Sequence, residues 1–178
     1  MATSTIRRFF FIQPKIISKK TTLQFVHPPE ACYEIISKIE NYPKFVSWMK
    51  DAELLTTNDN NSEYFITIGF PPFTQSYTSQ VIHDPPHKLT LLSSKNEVFE
   101  LLESIWEFHP TTKAEIHPTF NFPVLCEGHY SVKFKFSSPI YQKFSHVVIN
   151  KLFSETSKSF IKYVNQTPLG VNLKESRN

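Results

Sequence analysis

Three glycines in 178 residues, Gly69, Gly128 and Gly170, leave no place for a phosphate-cradling P-loop or a Gly-x-Gly-x-x-Gly dinucleotide turn. A Gly-x-Ser-x-Gly nucleophile elbow is missing as well, and the scattered serines are expected on polar strand faces or in loops. Two cysteines, Cys32 and Cys126, are too few for a disulfide framework and form no Cys-x-x-Cys pair, so buried, reduced thiols are expected. No apolar run approaches the ~18 to 20 residues that a membrane-spanning helix requires. Acidic side chains are absent from residues 1–29, which carry Arg7, Arg8, Lys15, Lys19 and Lys20. The other residues hold 14 basic and 16 acidic side chains, a balance of −2 within the overall +3. That balance argues against a polyanion-binding surface, and no nucleic acid partner is expected.

Aromatic side chains, by contrast, are abundant: 17 Phe, 7 Tyr and 2 Trp, or 15% of the chain. Large flat rings fill cores, and they also wall apolar ligand cavities. The length suits one domain that buries most of its apolar surface. Residues 1–18 are acid-free, bear Arg7 and Arg8 and several hydroxyls, and become apolar on one side if coiled. This is the composition of a mitochondrial presequence, with a flexible tail or an interfacial anchor through Phe9, Phe10 and Phe11 as the other readings. The polar residues 168–178 are expected to form a flexible C-terminal tail.

Hydrophobic periodicity between these tails predicts an α+β fold. Residues 21–26 read as a strand stopped by His27-Pro28-Pro29, after which Cys32, Ile35, Ile36 and Ile39 mark one face of a short helix ending near Asn41. Phe45, Val46, Trp48 and Met49 form a compact apolar turn. Strands follow at Leu54-Leu55 and at residues 64–70, 74–82 and 89–92, punctuated by Asn and Pro clusters. Residues 99–108 and 130–136 add two long strands, the second alternating Tyr130, Val132, Phe134 and Phe136 with Ser131, Lys133 and Lys135. The connection over residues 109–128 is long enough to suggest a functional or mobile loop. From Ser138-Pro139 onward, Ile140, Phe144, Val148, Leu152, Thr156, Phe160 and Val164 recur every fourth residue, predicting one helix of ~26 residues. A curved antiparallel sheet closed over one long helix, the helix-grip arrangement, leaves an interior that the seam alone does not fill.

Few side chains in this pattern suggest catalysis. His109, His117, Cys126 and His129 cluster in sequence, but at spacings unlike those of zinc ligands on a shared turn, so no metal site is expected. Glu100, Glu103 and Glu107 could act as acids or bases if buried; they are expected instead along a wet strand face. Phe45, Trp48, Phe70 and Trp106 fit either a core or a cavity. Trp48 and Phe70 favour the second, because they stand near prolines in connecting segments, where side chains meet an entrance more often than a core centre.

Several ordered blocks carry a resemblance. Tyr42-Pro43-x-Phe45-Val46-x-Trp48, Gly69-Phe70-Pro71-Pro72, Tyr77-Thr78-Ser79-x-Val81 and Ser104-Ile105-Trp106-x-Phe108 together resemble the mitochondrial coenzyme Q-binding START-domain proteins, within the wider polyketide cyclase and lipid-transport group. The resemblance covers about residues 19–166, and residues 19–167 are expected to form the START-like domain. It implies an apolar tunnel for ubiquinone and related isoprenoid lipids, walled by Trp106, Phe144, Val148 and Leu152, with Phe45, Trp48, Phe70, Pro71 and Pro72 at its mouth. It further implies a non-catalytic lipid chaperone or carrier with no cofactor beyond the bound ubiquinone. Such a protein would sit peripherally on the matrix side of the mitochondrial inner membrane. It would support respiratory electron transport and ubiquinone biosynthesis, with the coenzyme Q biosynthetic complex as a partner. The competing readings are an aromatase or cyclase acting on a quinone or polyketide precursor, a ribosome-associated RNA-binding module, and a membrane scaffold for the biosynthetic complex.

Overall fold

The computed structural model describes residues 15–70, 73–97, 99–137 and 139–169, with the side chains of Phe70, Phe73 and residues 139–148 outside the description. Its elements run β1 (Ile17–Phe25), α1 (Pro29–Ile36), a 3-10 turn (Ile39–Lys44), β2 (Met49–Thr57), β3 (Asn61–Phe70), β4 (Phe73–Asp84), β5 (Lys88–Ser93), β6 (Phe99–Pro110), β7 (Cys126–Phe136) and α2 (Pro139–Gln166). All seven strands join one antiparallel sheet in the order β1-β7-β6-β5-β4-β3-β2. Strands β2 to β7 thus form a continuous meander, and β1 closes the far edge against β7. Among the described residues, no helix is long and apolar enough to cross a membrane.

Alternation in the strands sets the two faces. Tyr64, Ile66 and Ile68 on β3 share the inner face with Tyr77, Ser79 and Val81 on β4, Trp106 and Phe108 on β6, and Tyr130 and Phe134 on β7. The outer face carries cross-strand ion pairs, Lys133 to Glu103 at 2.9 Å, Lys135 to Glu100 at 2.8 Å and Lys88 to Glu107 at 3.4 Å. The three glutamates therefore lie on the wet face, where such pairs contribute little to stability.

The boundaries depart from the pattern reading most at four places, each for a local reason. Strand β1 starts at Ile17 because Ile17 to Thr21 keep full register against β7. Helix α1 stops at Ile36, where Ser37 N–H bonds the Tyr33 carbonyl, and the chain tightens into the 3-10 turn before Phe45. Strand β2 extends back to Met49, with register shifts between Met49 and Asp51 and between Leu54 and Thr56. Each shift resets which side chains face inward, so Leu54 and Leu55 both stay exposed and blur the alternation. The connection after β6 shortens to residues 111–125, since β6 runs on to Pro110 and β7 begins at Cys126. It is tied by an Ile116–Pro123 bridge, by Val124 N–H to the Glu115 carbonyl at 2.9 Å, and by the buried His117, whose Nδ1 accepts the Thr119 N–H at 3.2 Å.

A dense aromatic core fills one end of the interior. Trp106 stacks on Tyr130 with centroids 4.2 Å apart, Phe160 of α2 meets Trp106 edge-on at 4.7 Å, and Phe25, Phe108 and Val164 close around them. Cys32 on α1 and Cys126 on β7 are both free and fully buried; the Cys126 thiol beside it, then burial, pushes the Cys32 thiol far up. Beneath α1, His83 Nε2 shares a hydrogen bond with Ser62 Oγ at 2.8 Å and its Nδ1 shares one with the Tyr33 hydroxyl at 3.1 Å.

Gly128 faces Phe25, and a Cβ there would lie 2.5 Å from the Phe25 ring. Phe25 is wholly enclosed and cannot swing away. Gly128→Ala should therefore cost about 1–3 kcal/mol in urea unfolding, and a variant as stable as wild type would refute this packing. Burial lowers both His83 and His117 below the ordinary imidazole value of 6.5. The unfolded chain consequently takes up those protons first, and stability should fall as pH drops through 6.5. His83→Gln, which can still bridge Ser62 and Tyr33, should flatten that slope in urea titrations between pH 7 and 5.5; an unchanged slope would contradict the assignment.

Candidate functional site

Helix α2 is anchored at its C-terminal half. Phe160 and Val164 enter the aromatic core, Asn165 Oδ1 accepts the Val26 N–H at 2.9 Å, and Asn165 Nδ2 donates to the Gln24 carbonyl at 3.3 Å. Among the described contacts the helix approaches β1, β7 and α1 most closely. Leu91 and Ser93 on β5, Leu102 and Ser104 on β6 and Val132 on β7 face the helix, yet each remains only half-buried. Leu89, Trp106 and Phe108, one or two inward positions further along, are sealed. Leu91, Leu102 and Val132 pack against the edge of the core, as do Ile149 and Phe153 of α2, without being sealed by any described side chain.

This part of the inner face is apolar with neutral hydroxyls set into it. Ser79 and Ser93 are direct cross-strand partners, as are Leu91 and Ser104, so all four share the inner face. Ser79 Oγ donates to the Leu92 carbonyl at 3.4 Å, a long and weak bond. Burial pushes the Tyr130 phenol up to about 12 although Ser104 hydrogen-bonds it, and burial holds Tyr77 further above its ordinary value, so both stay protonated near neutral pH. The serines were expected on polar faces or in loops; Ser62 and Ser79 are instead buried on the inner face. The alternation of β6 already placed Ser104 on one face with Leu102, Trp106 and Phe108, as the sequence reading had it, and that of β4 puts Ser79 in phase with Tyr77 and Val81.

The nine residues singled out from the sequence fall into three groups. Phe45 and Trp48 meet the anchored half of α2: Phe45 stacks on Tyr163 at 4.0 Å and touches Phe160 at 5.0 Å, while Trp48 Nε1 donates to Thr156 Oγ1 at 2.8 Å. Trp106 joins the same cluster through Phe160 and is sealed in the core. Leu152 lies half-buried on α2, one helical turn before Thr156. The side chains of Phe70, Phe144 and Val148, and Pro71 and Pro72 entirely, lie outside the described residues. Leu91, Ser93, Leu102 and Val132 were not singled out, because periodicity reports which face a residue takes and not whether that face is covered.

The histidine cluster separates. His117 is spent inside the 111–125 connection and Cys126 faces Cys32, but His109 and His129 come together on the outer face with ring centroids 4.7 Å apart. Glu107 joins them, the three possible ligand atoms lying within 4.8 Å of one another. This set could hold a divalent cation at the surface. Lys88 already engages Glu107, and Glu127 lies 3.9 Å from His129.

The chain is similar to several known proteins. It is 26% identical over 132 residues to the mitochondrial coenzyme Q-binding protein COQ10 of Drosophila melanogaster, covering 74% of this chain and 52% of that protein. It is 24% identical over 111 residues to the ribosome association toxin RatA of Rickettsia prowazekii, covering 60% of this chain and 76% of that one. The chain spans about half the length of the Drosophila relative. Among solved structures, the Zhui aromatase/cyclase from Streptomyces sp. R1128 superposes with a TM-score of 0.70 at 9% identity, covering 84% of this chain and 94% of that one. At that identity the likeness speaks for the shared fold alone. The seven-stranded curved sheet gripping a C-terminal helix agrees with a START-like architecture, and the family described as polyketide cyclase / dehydrase and lipid transport matches residues 26–161; the chain belongs to that family.

Proposed function

We propose that this chain binds ubiquinone in a hollow between α2 and the central strands and acts as a carrier or chaperone for it, without catalysis. The observation that carries the reading is the apolar inner face at Leu91, Leu102 and Val132, which packs against the core yet is left half-buried by the described side chains. Each methylene of an isoprenoid tail that leaves water gains ~0.8 kcal/mol, so an unfilled apolar face inside a folded domain is stabilised by a lipid chain. Likeness to a relative named as a coenzyme Q-binding protein supports the choice of lipid.

A cyclase would need an acid–base array facing the hollow. The nearest such array among the described residues, Tyr33–His83–Ser62, lies under α1 with Ser62 and Tyr33 almost sealed, and its polar atoms serve one another. A ribosome-directed role takes support from the Rickettsia relative. The outer-face lysines 88, 133 and 135 already meet glutamates, which leaves little free positive charge on that face for RNA. In the proposed setting the protein is peripheral on the matrix face of the mitochondrial inner membrane, serving respiration and quinone biosynthesis, with the biosynthetic complex as a partner. Exposed Ile116, Phe122 and Leu125 on the 111–125 connection support contact with a lipid surface.

Mass spectrometry of lipid extracted from gently purified protein tests the proposal. Ubiquinone should co-purify with the wild type. Leu102→Trp, which adds a large ring to the proposed hollow, should stay folded and retain at least about tenfold less quinone, because the tail loses several methylenes' worth of room. Full quinone retention by a folded Leu102→Trp protein, or wild type that neither carries nor takes up quinone, would defeat it.

A further inference from the structure

The outer face carries a group of side chains that neither the core nor the carrier reading uses. Glu107 and His109 are two residues apart on β6, and His129 on β7 is the direct partner of Glu107, so all three project from the same wet face. The rings of His109 and His129 lie 4.7 Å apart between centroids, and one ligand atom from each of the three side chains lies within 4.8 Å of the other two. Donors around a tetrahedral zinc ion, at bond lengths of ~2.0–2.2 Å, stand about 3.3–3.5 Å from one another. The three atoms therefore need to close by at most about 1.5 Å, a distance that rotation of exposed side chains covers while the backbone stays in place.

The strands beneath them are well held. Phe108 and Tyr130, which alternate with these residues, enter the sealed core, and Gly128 closes on the Phe25 ring. A chelating set on a fixed pair of strands loses little freedom when it closes on an ion. His109 and His129 are far apart along the chain, and only the antiparallel register of β6 and β7 brings them together.

We propose that Glu107, His109 and His129 form a surface site for a divalent transition metal ion of the zinc class. Two imidazole nitrogens and one carboxylate oxygen suit a borderline ion such as Zn²⁺, whereas Mg²⁺, which demands an octahedron of oxygens, finds too few. Water completes the coordination from the solvent side. Glu127, the partner of His109 and 3.9 Å from His129 Nε2, adds negative charge beside the ion. Lys88 is the competitor. Its ammonium stands 3.4 Å from Glu107 Oε1 with both side chains nearly half-exposed, a solvent-screened pair that yields to a doubly charged ion. The bound ion ties β6 to β7 on the face opposite Leu102 and Val132, so the site stands or falls independently of the carrier reading.

The test titrates Zn²⁺ into the full chain against a fluorescent zinc chelator and follows the melting temperature in parallel. Wild type should take up Zn²⁺ at micromolar concentration and melt at a higher temperature with the ion than without it, while Mg²⁺ at the same concentration should change nothing. The double variant His109→Gln/His129→Gln should bind Zn²⁺ at least about tenfold more weakly and lose the zinc-induced rise in melting temperature. Both side chains are exposed, so without metal the double variant should melt with the wild type, which separates a lost ion from a lost fold. Glu107→Gln should weaken zinc binding, whereas Lys88→Gln, which breaks the same ion pair but frees the carboxylate, should bind Zn²⁺ as tightly as wild type or more tightly. Wild type that takes up no zinc, or zinc binding unchanged in the double variant, would overturn the site, as would equal losses in Glu107→Gln and Lys88→Gln.

Discussion

The anchoring of α2 by its C-terminal half governs everything else in this domain. Phe160 against Trp106, Val164 in the core, and the two bonds of Asn165 across the end of β1 fix the helix at one end of the sheet. A twisted seven-stranded sheet is wider than one helix, and the closest described approaches of α2 are to β1, β7 and α1. Trp48 donates to Thr156 midway along α2, and Phe153, about one turn earlier, still stacks on Tyr130 at 5.4 Å.

Two polar systems divide along the same line. On the outer face, charged side chains pair across β5, β6 and β7 and remain wet, where their pairing costs little desolvation. Apart from Lys19, Gln75 and the Cys126 thiol, the polar groups at the described strand positions of the inner face are hydroxyls and one imidazole, whose burial disfavours their ionised forms. Charge kept off the proposed hollow favours an uncharged, largely apolar occupant. Lys19, on the edge strand β1 opposite Val132, is the one charged side chain at the described strand positions of that face.

Much of the fold could be read from the chain because the strongest patterns coincide with tertiary demand. The alternation from Tyr130 to Phe136 is an inner face against a wet one, and the fourfold recurrence from Leu152 to Val164 is the stripe that packs on the sheet. Patterns failed where local geometry intervened, as in β2, whose two register shifts put Leu54 and Leu55 in water. The candidate site was less legible: Phe45 and Trp48, expected at a mouth, and Trp106, expected on a wall, all meet α2, and Trp106 is sealed in the core. A large apolar residue on an inward phase signals burial whether its neighbours fill the space or not. Filling depends on where the helix axis runs, and Asn165, a single polar residue with no periodic signature, helps to decide that.

The proposed task also sets how strong binding can be. An isoprenoid tail moving from a bilayer to an apolar pocket exchanges one dry environment for another, so the ~0.8 kcal/mol per methylene that holds it away from water gives little net preference between the two. A carrier needs that near-balance, because a pocket far stickier than the membrane would not release its load. Discrimination among lipids must then come from a small polar term that the bilayer interior does not supply.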